Sequence, residues 1–289
     1  MTPFHIPVLS KEVLEHLAVR PDAVYLDVTA GLGGLSMEIA KQLTTGFVIA
    51  NDRDAESLEL ARRNTSQYAE KIRFHHGRFS RVGEALESYK VERVAGLVAD
   101  LGVSRYQLTD PERGFTLMAD GPLDMRLDRG ETITAEQVVN YTDEETLANW
   151  FYQLAGERRS RRIARAIRQA RPIRSTGHLA RVIEEVVPRT GRLHPATKTF
   201  AAIRQVVNQE PEELNALLEL VPKLVMPGGR AVFLTFHSDE DRPVKHFFQR
   251  LAREGRAQLL TKHVVKPGRD EVLDNAAARS SMLRAIQLN

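Results

Sequence analysis

The chain reads as an α/β protein with two textures, a mostly parallel seven-stranded sheet and an all-helical subdomain inserted into it. Three observations predict this. Short apolar runs alternate with helical patterns from Ala23 to Leu101, the β signal vanishes from Asp110 to Val207, and an apolar strand returns at Arg230 to Phe236. The expected domain limits are 1–109 for the first part of the sheet domain, 110–208 for the insertion and 209–289 for the second part.

The elements follow in order. Val24 to Val28 is the first strand; it feeds a turn holding Gly31, Gly33 and Gly34, and a helix starts near Ser36. Gly46 to Asn51 contains the second strand, Glu56 to Asn64 has a helical pattern, and Ile72 to His75 and Val94 to Ala99 are the third and fourth strands. The insertion carries helical patterns at Ala135 to Asn140, Asp143 to Ala155, Arg158 to Ala170, His178 to Val187 and Thr197 to Asn208. A helix from Pro211 to Val225 leads through Pro227-Gly228-Gly229 to the fifth strand. A helix at Glu240 to Arg253 and β runs at Gln258 to Val265 and Met282 to Leu288 complete the sheet. The last two runs lack a full crossover helix between them, which predicts an antiparallel final strand.

Strand, glycine turn, helix, strand and acidic stop form a Rossmann-like cofactor signature. Asp52 lies about 20 residues beyond the glycines, where a carboxylate can accept hydrogen bonds from both hydroxyls of a ribose. The alternative is that the glycines only make a tight turn. A dinucleotide site favours a third glycine or alanine where this chain has Ser36, and Asp27 before the turn would repel a pyrophosphate. The same carboxylate suits a cationic, amino-bearing ligand, so S-adenosylmethionine is the expected cofactor.

Composition narrows the chemistry. The 289 residues include no cysteine, which excludes disulfides, thiolate metal sites, iron–sulfur clusters and a cysteine nucleophile. Methyl transfer to nitrogen or oxygen remains. Residues Met1 to Arg20 show no leader pattern and no apolar run approaches a membrane span, so the expected location is the cytoplasm. Net charge is only +3, yet the pI is about 9.2 and arginines cluster. Arg158, Arg159, Arg161, Arg162, Arg165, Arg168, Arg171 and Arg174 follow one helical pattern and its exit, opposite a stripe of Ile163, Ile167 and Ala170. Such a face can hold the phosphates of a nucleic acid. Its alternative is a solvated or internally paired face, with Glu157, Glu184 and Glu185 as partners.

Several motifs, in their order along nearly the whole chain, carry a resemblance. They are His5-Ile-Pro-Val-Leu9, the glycine turn, Asp52-Arg53-Asp54, Asp100-Leu-Gly-Val-Ser104, Gln107-Leu108, Glu112-Arg-Gly-Phe115, Gly121-Pro-Leu-Asp-Met-Arg126, Arg162-Ile-Ala-Arg-Ala-Ile167, His194-Pro-Ala-Thr197, Phe236-His-Ser238 and Glu240-Asp-Arg242. In these the chain resembles the bacterial ribosomal RNA small subunit methyltransferase H family (MraW-type). The resemblance implies a class I S-adenosylmethionine-dependent methyltransferase fold with a helical insertion. It implies methylation of N4 of a cytidine in the decoding centre of 16S rRNA, within the small ribosomal subunit; the expected chemistry uses no metal.

Carried over by position, the resemblance implies cofactor contacts from Gly33, Gly34, Leu35, Asp52, Phe79, Asp100 and Gln107. Phe79 is either ordinary core or an aromatic platform for adenine. Asp100 and Ser104 are the candidate catalytic acceptors for the amino group, in place of the Asp/Asn-Pro-Pro-aromatic loop of many amino methyltransferases. Arg158, Arg162, Arg165 and His194 are the candidate RNA contacts. His5 and His237 are assigned no chemistry. The chain departs from the family pattern at Leu32 and Leu35, where a charged or small residue and a histidine are usual, and at Arg105, which replaces a serine. It departs again at Leu154-Ala-Gly-Glu-Arg158 and at Asn275-Ala-Ala-Ala-Arg279-Ser280. Three other functions stay open at this point: a relative methylating another RNA, a non-catalytic RNA-binding assembly factor, and a nicotinamide-dependent oxidoreductase.

Overall fold

A computed structural model describes residues 7–189, 191 and 193–289, apart from the side chains of residues 276 and 277. His5, and the alanine side chains at two of the three departing positions near the end, lie outside the described residues. The chain divides into two compact units, Met1–Gly102 with Glu212–Asn289, and Val103–Pro211.

In the first unit, α1 (Ser10–Leu17) precedes β1 (Val24–Asp27), α2 (Gly34–Gln42), β2 (Phe47–Asp52), α3 (Ala55–Asn64), β3 (Ile72–His76), α4 (Gly83–Ser88) and β4 (Val94–Asp100). The sequence reading missed α1 because its ends carry no glycine or capping signal. Leu9 and Ala18 bound it in left-handed conformations, with φ of 51° and 49°.

The second unit holds α5 (Arg105–Thr109), α6 (Ala135–Tyr141), α7 (Glu144–Ala155), α8 (Ser160–Ala170), α9 (Thr176–Val186) and α10 (Thr197–Asn208). It begins before the composition changes at Asp110, because Ser104 caps α5. Its core gathers Phe151, Ile163, Ile167, Ile173, Leu179, Ile183, Phe200 and Ile203. Two of the motifs shared with the family interlock here. The buried Arg113 donates to the carbonyls of Arg126 and Leu127 at 3.1 and 3.0 Å, and Met125 N–H donates to the Arg113 carbonyl at 3.1 Å. Gly114, at φ 74°, has no room for a side chain, since a Cβ would stand 2.3 Å from the Pro122 carbonyl oxygen.

The chain then enters α11 (Glu210–Leu224), β5 (Val225–Thr235), α12 (Ser238–Arg253), β6 (Ala257–Leu259), α13 (Arg269–Asp274) and β7 (Met282–Leu288). The seven strands run in the order β3-β2-β1-β4-β5-β7-β6. The first five are mutually parallel and β7 is antiparallel to both neighbours, as the missing crossover predicted. The sixth strand is shorter than expected. Beyond Leu259 the expected run continues only as an isolated bridge from Val265 to Leu283 among the described residues.

Strand alternation builds two cores, one on each face of the sheet. Leu26, Leu97, Ala99, Ala231 and Phe233 join α4, α11 and α12 on one face, where Phe233 meets Phe248 edge-on at 5.5 Å. Tyr25, Val98, Val232 and Leu234 join α1 and α2 on the other. Order reverses beside β1 and β4. In an open α/β sheet the crevice at such a reversal, outside the carboxyl ends of the strands, is where ligands bind.

Candidate active site

Three aspartates stand at that edge: Asp27 ends β1, Asp52 ends β2 and Asp100 ends β4. Parallel register aligns them along one rim, with Asp27 opposite Ala50 and Val98, and Asp100 opposite Leu234 of β5.

Asp27 is fully buried, and its oxygens serve the turn itself. They accept from Ser36 Oγ at 2.6 Å, Thr29 N–H at 3.1 Å and Thr29 Oγ1 at 3.5 Å. Asp27 thus holds the turn together, and its charge acts on Asp100. Ser36, which the sequence marked as a departure from a dinucleotide site, is its hydrogen-bond partner.

Asp52 accepts from Gly31 N–H at 2.7 Å through Oδ2 and from Asp54 N–H at 2.8 Å through Oδ1. Each oxygen keeps a lone pair for a ribose hydroxyl. Of the turn glycines, a Cβ on Gly31 would make ordinary contact with the Thr29 carbonyl oxygen at 3.9 Å, whereas a Cβ on Gly33 would stand 2.6 Å from Thr65 Cγ2. Gly33 is thus needed for packing against the end of α3 and for its φ of 89°. Gly34 opens α2, and Leu35 buries its side chain in the core with Leu58, so a cofactor contact from Leu35 falls to its backbone. Leu32 is buried as well. Both departures from the family pattern are absorbed by packing.

Asp100 keeps some surface exposed, but its Oδ1 is sealed from solvent with no hydrogen-bond partner. Its backbone N–H is held by Thr29 Oγ1 at 2.6 Å, which links the ends of β4 and β1. Glu240 folds back over the end of β5, where its Oε2 accepts from Phe236 and His237 N–H at 2.9 and 3.3 Å. Its Oε1 lies 4.0 Å from the position a Cβ would take on Gly102.

Burial lifts all three carboxyls. Asp27 rises to about 6 despite its hydrogen bonds, and Asp52 to about 7 despite the Asp54 and Gly31 N–H groups. For Asp100 burial, Asp27 and Glu240 push the same way, also to about 7. A sealed, unpartnered carboxylate oxygen among like charges is complementary to a cation. The α-ammonium and sulfonium of S-adenosylmethionine would supply that charge, and Asp52 has acceptors left for a ribose. The residues fit this cofactor.

Two framework groups escaped the sequence reading. Asn51 is buried behind the rim, donates to the Gly77 and Val28 carbonyls at 3.0 and 3.4 Å, and faces His75 Nδ1 at 2.9 Å. Burial lowers the His75 pKa. Thr29 is the second. Only their place beside the aspartates in sequence could have flagged them.

Phe79 opens a 3-10 turn, Phe79–Arg81, after β3, half-buried against the core. Ser104 and Gln107 lie in the inserted unit and cap α5 reciprocally: Gln107 N–H donates to Ser104 Oγ at 3.3 Å, and Ser104 N–H to Gln107 Oε1 at 2.8 Å. Arg105, where the family has a serine, opens the helix they cap. His194 is also engaged within its unit. Its Nδ1 accepts from Ala196 N–H at 3.1 Å and its Nε2 meets Glu184 at 2.9 Å.

The arginines of α8 are exposed, with Ile163 and Ile167 buried beneath them. Glu144 takes Arg168 at 2.8 Å and Arg165 at 3.6 Å. Arg158, Arg161 and Arg162 have no ion pair among the described residues. Two of the three expected partners are otherwise occupied: Glu157 accepts Arg159 N–H at 2.8 Å and Glu184 meets His194. Arg171 turns inward to the Val139 and Thr142 carbonyls.

Residues 2–289 match the sequence model of the MraW methylase family. The chain belongs to this family. The chain is similar to the ribosomal RNA small subunit methyltransferase H of Solibacter usitatus, with 57% identity over 284 residues, 98% of this chain and 99% of that protein. The protein of the same name from Koribacter versatilis is 46% identical over 293 residues, 97% of this chain and 93% of its own length. Membership in the MraW methylase family makes the chain a methyltransferase with S-adenosylmethionine as cofactor. It sets aside the nicotinamide alternative.

Proposed function

We propose that this chain methylates N4 of a cytidine in 16S ribosomal RNA, in the decoding centre of the small subunit, and that it works in the cytoplasm. The relatives' names support the substrate class. The observation that carries the chemistry is Asp100, whose Oδ1 is buried without a partner at the end of the strand that faces the crevice.

Cytosine N4 is a weak nucleophile because its lone pair is delocalised into the ring. Asp100 accepts an N4–H bond, turns the lone pair out of the ring and aligns the nitrogen for in-line attack. S-adenosylmethionine, when bound, supplies a methyl group already activated by its sulfonium, so the displacement needs no metal. Asp100, with a pKa of about 7, then receives the proton that N4 sheds. Asp52 holds the ribose and Gly31 to Leu35 the rest of the cofactor edge. Ser104 and Gln107 keep secondary places, because each spends an oxygen on capping α5. The exposed arginines of α8, with Arg158 before them, bind RNA phosphates, and an irregular RNA site makes flipping of the base less costly.

The test is tritiated methyl transfer to undermethylated small subunits and, in parallel, to free 16S rRNA, followed by nucleoside analysis. Label in N4-methylated cytidine with assembled subunits is the expected result. Label in another nucleoside, or none with either substrate, would overturn the reading.

A further inference from the structure

We propose that Glu213, on α11, is a positioning residue for the purine ring of the cofactor and acts through Phe79; this rests on the reading of Phe79 as the adenine platform. Phe79 is the first residue of the turn Phe79–Arg81, and the first N–H groups of any helical turn have no partner of their own. Such groups are ordinarily capped by a Ser, Thr, Asp or Asn side chain just before the turn. Here the preceding residue is Arg78, which has no side-chain acceptor and makes no cap.

Glu213, 133 residues further along, supplies what is missing. Its two oxygens accept from Ser80 N–H and Ser80 Oγ, both at 2.9 Å, and Arg78 Nη1 stands 3.8 Å away. The carboxylate is buried, so both bonds are charge-assisted and sheltered from water. Phe79 lies between Arg78 and Ser80, and on its far side Val82 N–H donates to the Phe79 carbonyl at 3.2 Å with Val82 fully buried. The ring therefore hangs from a segment fixed at both ends.

Glu210, one turn before Glu213 on α11, takes Arg204 through both oxygens at 2.8 Å. Glu213 closes no contact with the reacting atoms, and its effect falls on cofactor affinity.

The experiment measures KM for S-adenosylmethionine, kcat at saturating cofactor, and S-adenosylhomocysteine affinity by calorimetry on the full chain. Glu213→Gln keeps the volume and removes the charge; KM and the dissociation constant should rise about tenfold with kcat within about twofold. Ser80→Ala should give about a third of that effect. Phe79→Leu weakens binding in its own right, and the double variant Phe79→Leu with Glu213→Gln should bind no worse than Phe79→Leu alone.

Additive losses in the double variant, a fall in kcat at unchanged KM, or a lower melting temperature with unchanged affinity would each overturn the proposal. Normal affinity in Phe79→Leu sinks the adenine reading and this inference together. Weakened affinity in Phe79→Leu with none in Glu213→Gln sinks the inference alone.

Discussion

At the edge of the sheet, Asp27, Asp52 and Asp100 sit among strand ends, held by backbone and hydroxyl groups or left with a sealed oxygen. On the inserted unit, Arg158, Arg161 and Arg162 stand in solvent with no ion pair among the described residues. On the proposed reading both regions meet an oppositely charged ligand, yet they hold their charge differently. The aspartates are largely withdrawn from water, so each interaction there is stronger, more directional and less sensitive to salt. The arginines keep their water and counterions. Their interactions are individually weak, additive and salt-dependent, which suits a phosphate backbone that must be gripped along its length.

The largest expected effect breaks the buried side of this contrast. Asp100→Asn keeps the shape but cannot take a proton at neutral pH. Single-turnover methylation should fall about 1,000-fold, while S-adenosylhomocysteine binding, measured by calorimetry, changes far less. Retention of the full single-turnover rate would remove Asp100 from the chemistry.

On the exposed side, replacing Arg158, Arg162 and Arg165 together by Gln should weaken RNA binding by roughly 10- to 100-fold at low salt. It should also flatten the plot of log affinity against log salt by about two units, since each phosphate contact on a single strand contributes about 0.7. Filter binding across a salt series reads both. An unchanged slope would show these arginines to be a solvated face. His194→Ala is the internal control, because both ring nitrogens are occupied within the unit; RNA affinity should stay within about twofold.

The two regions were also unequally legible in the sequence. The strands that end in aspartate were readable because β alternation and the spacing from the glycines to Asp52 are local signals. The arginine stripe was readable for the same reason, since its apolar face repeats at helical spacing. What the sequence does not display is which hydrogen bonds take up a polar side chain. Asp27 is taken up by Ser36 and Thr29, and Ser104 Oγ accepts from Gln107 N–H to cap α5. The motif pair around Arg113 and Arg126 carried the resemblance, yet it proves to be a staple within the helical unit. Glu213 gave no signal at all, because its partner lies 133 residues away.

The smallest effect sharpens the buried side, where like charges are in play. Asp100 is lifted to about 7 by burial, Asp27 and Glu240, so the folded chain binds its proton more tightly than the unfolded chain does. That stabilises the fold relatively at low pH and costs stability as pH rises from near 4 through 7. The acid limb of kcat/KM should fall in the same range, because a protonated Asp100 cannot accept from N4. Glu240→Gln removes one negative neighbour but keeps a carbonyl oxygen to accept from Phe236 N–H. The Asp100 pKa should drop, moving the acid limb to lower pH by a fraction of a unit and raising the relative rate at pH 6 by about twofold. The same change predicts that the melting temperature of the variant, relative to the parent, improves between pH 5 and pH 8. A limb that stays in place or moves upward would leave Glu240 as a helix cap and would assign the lifted Asp100 to burial and Asp27 alone.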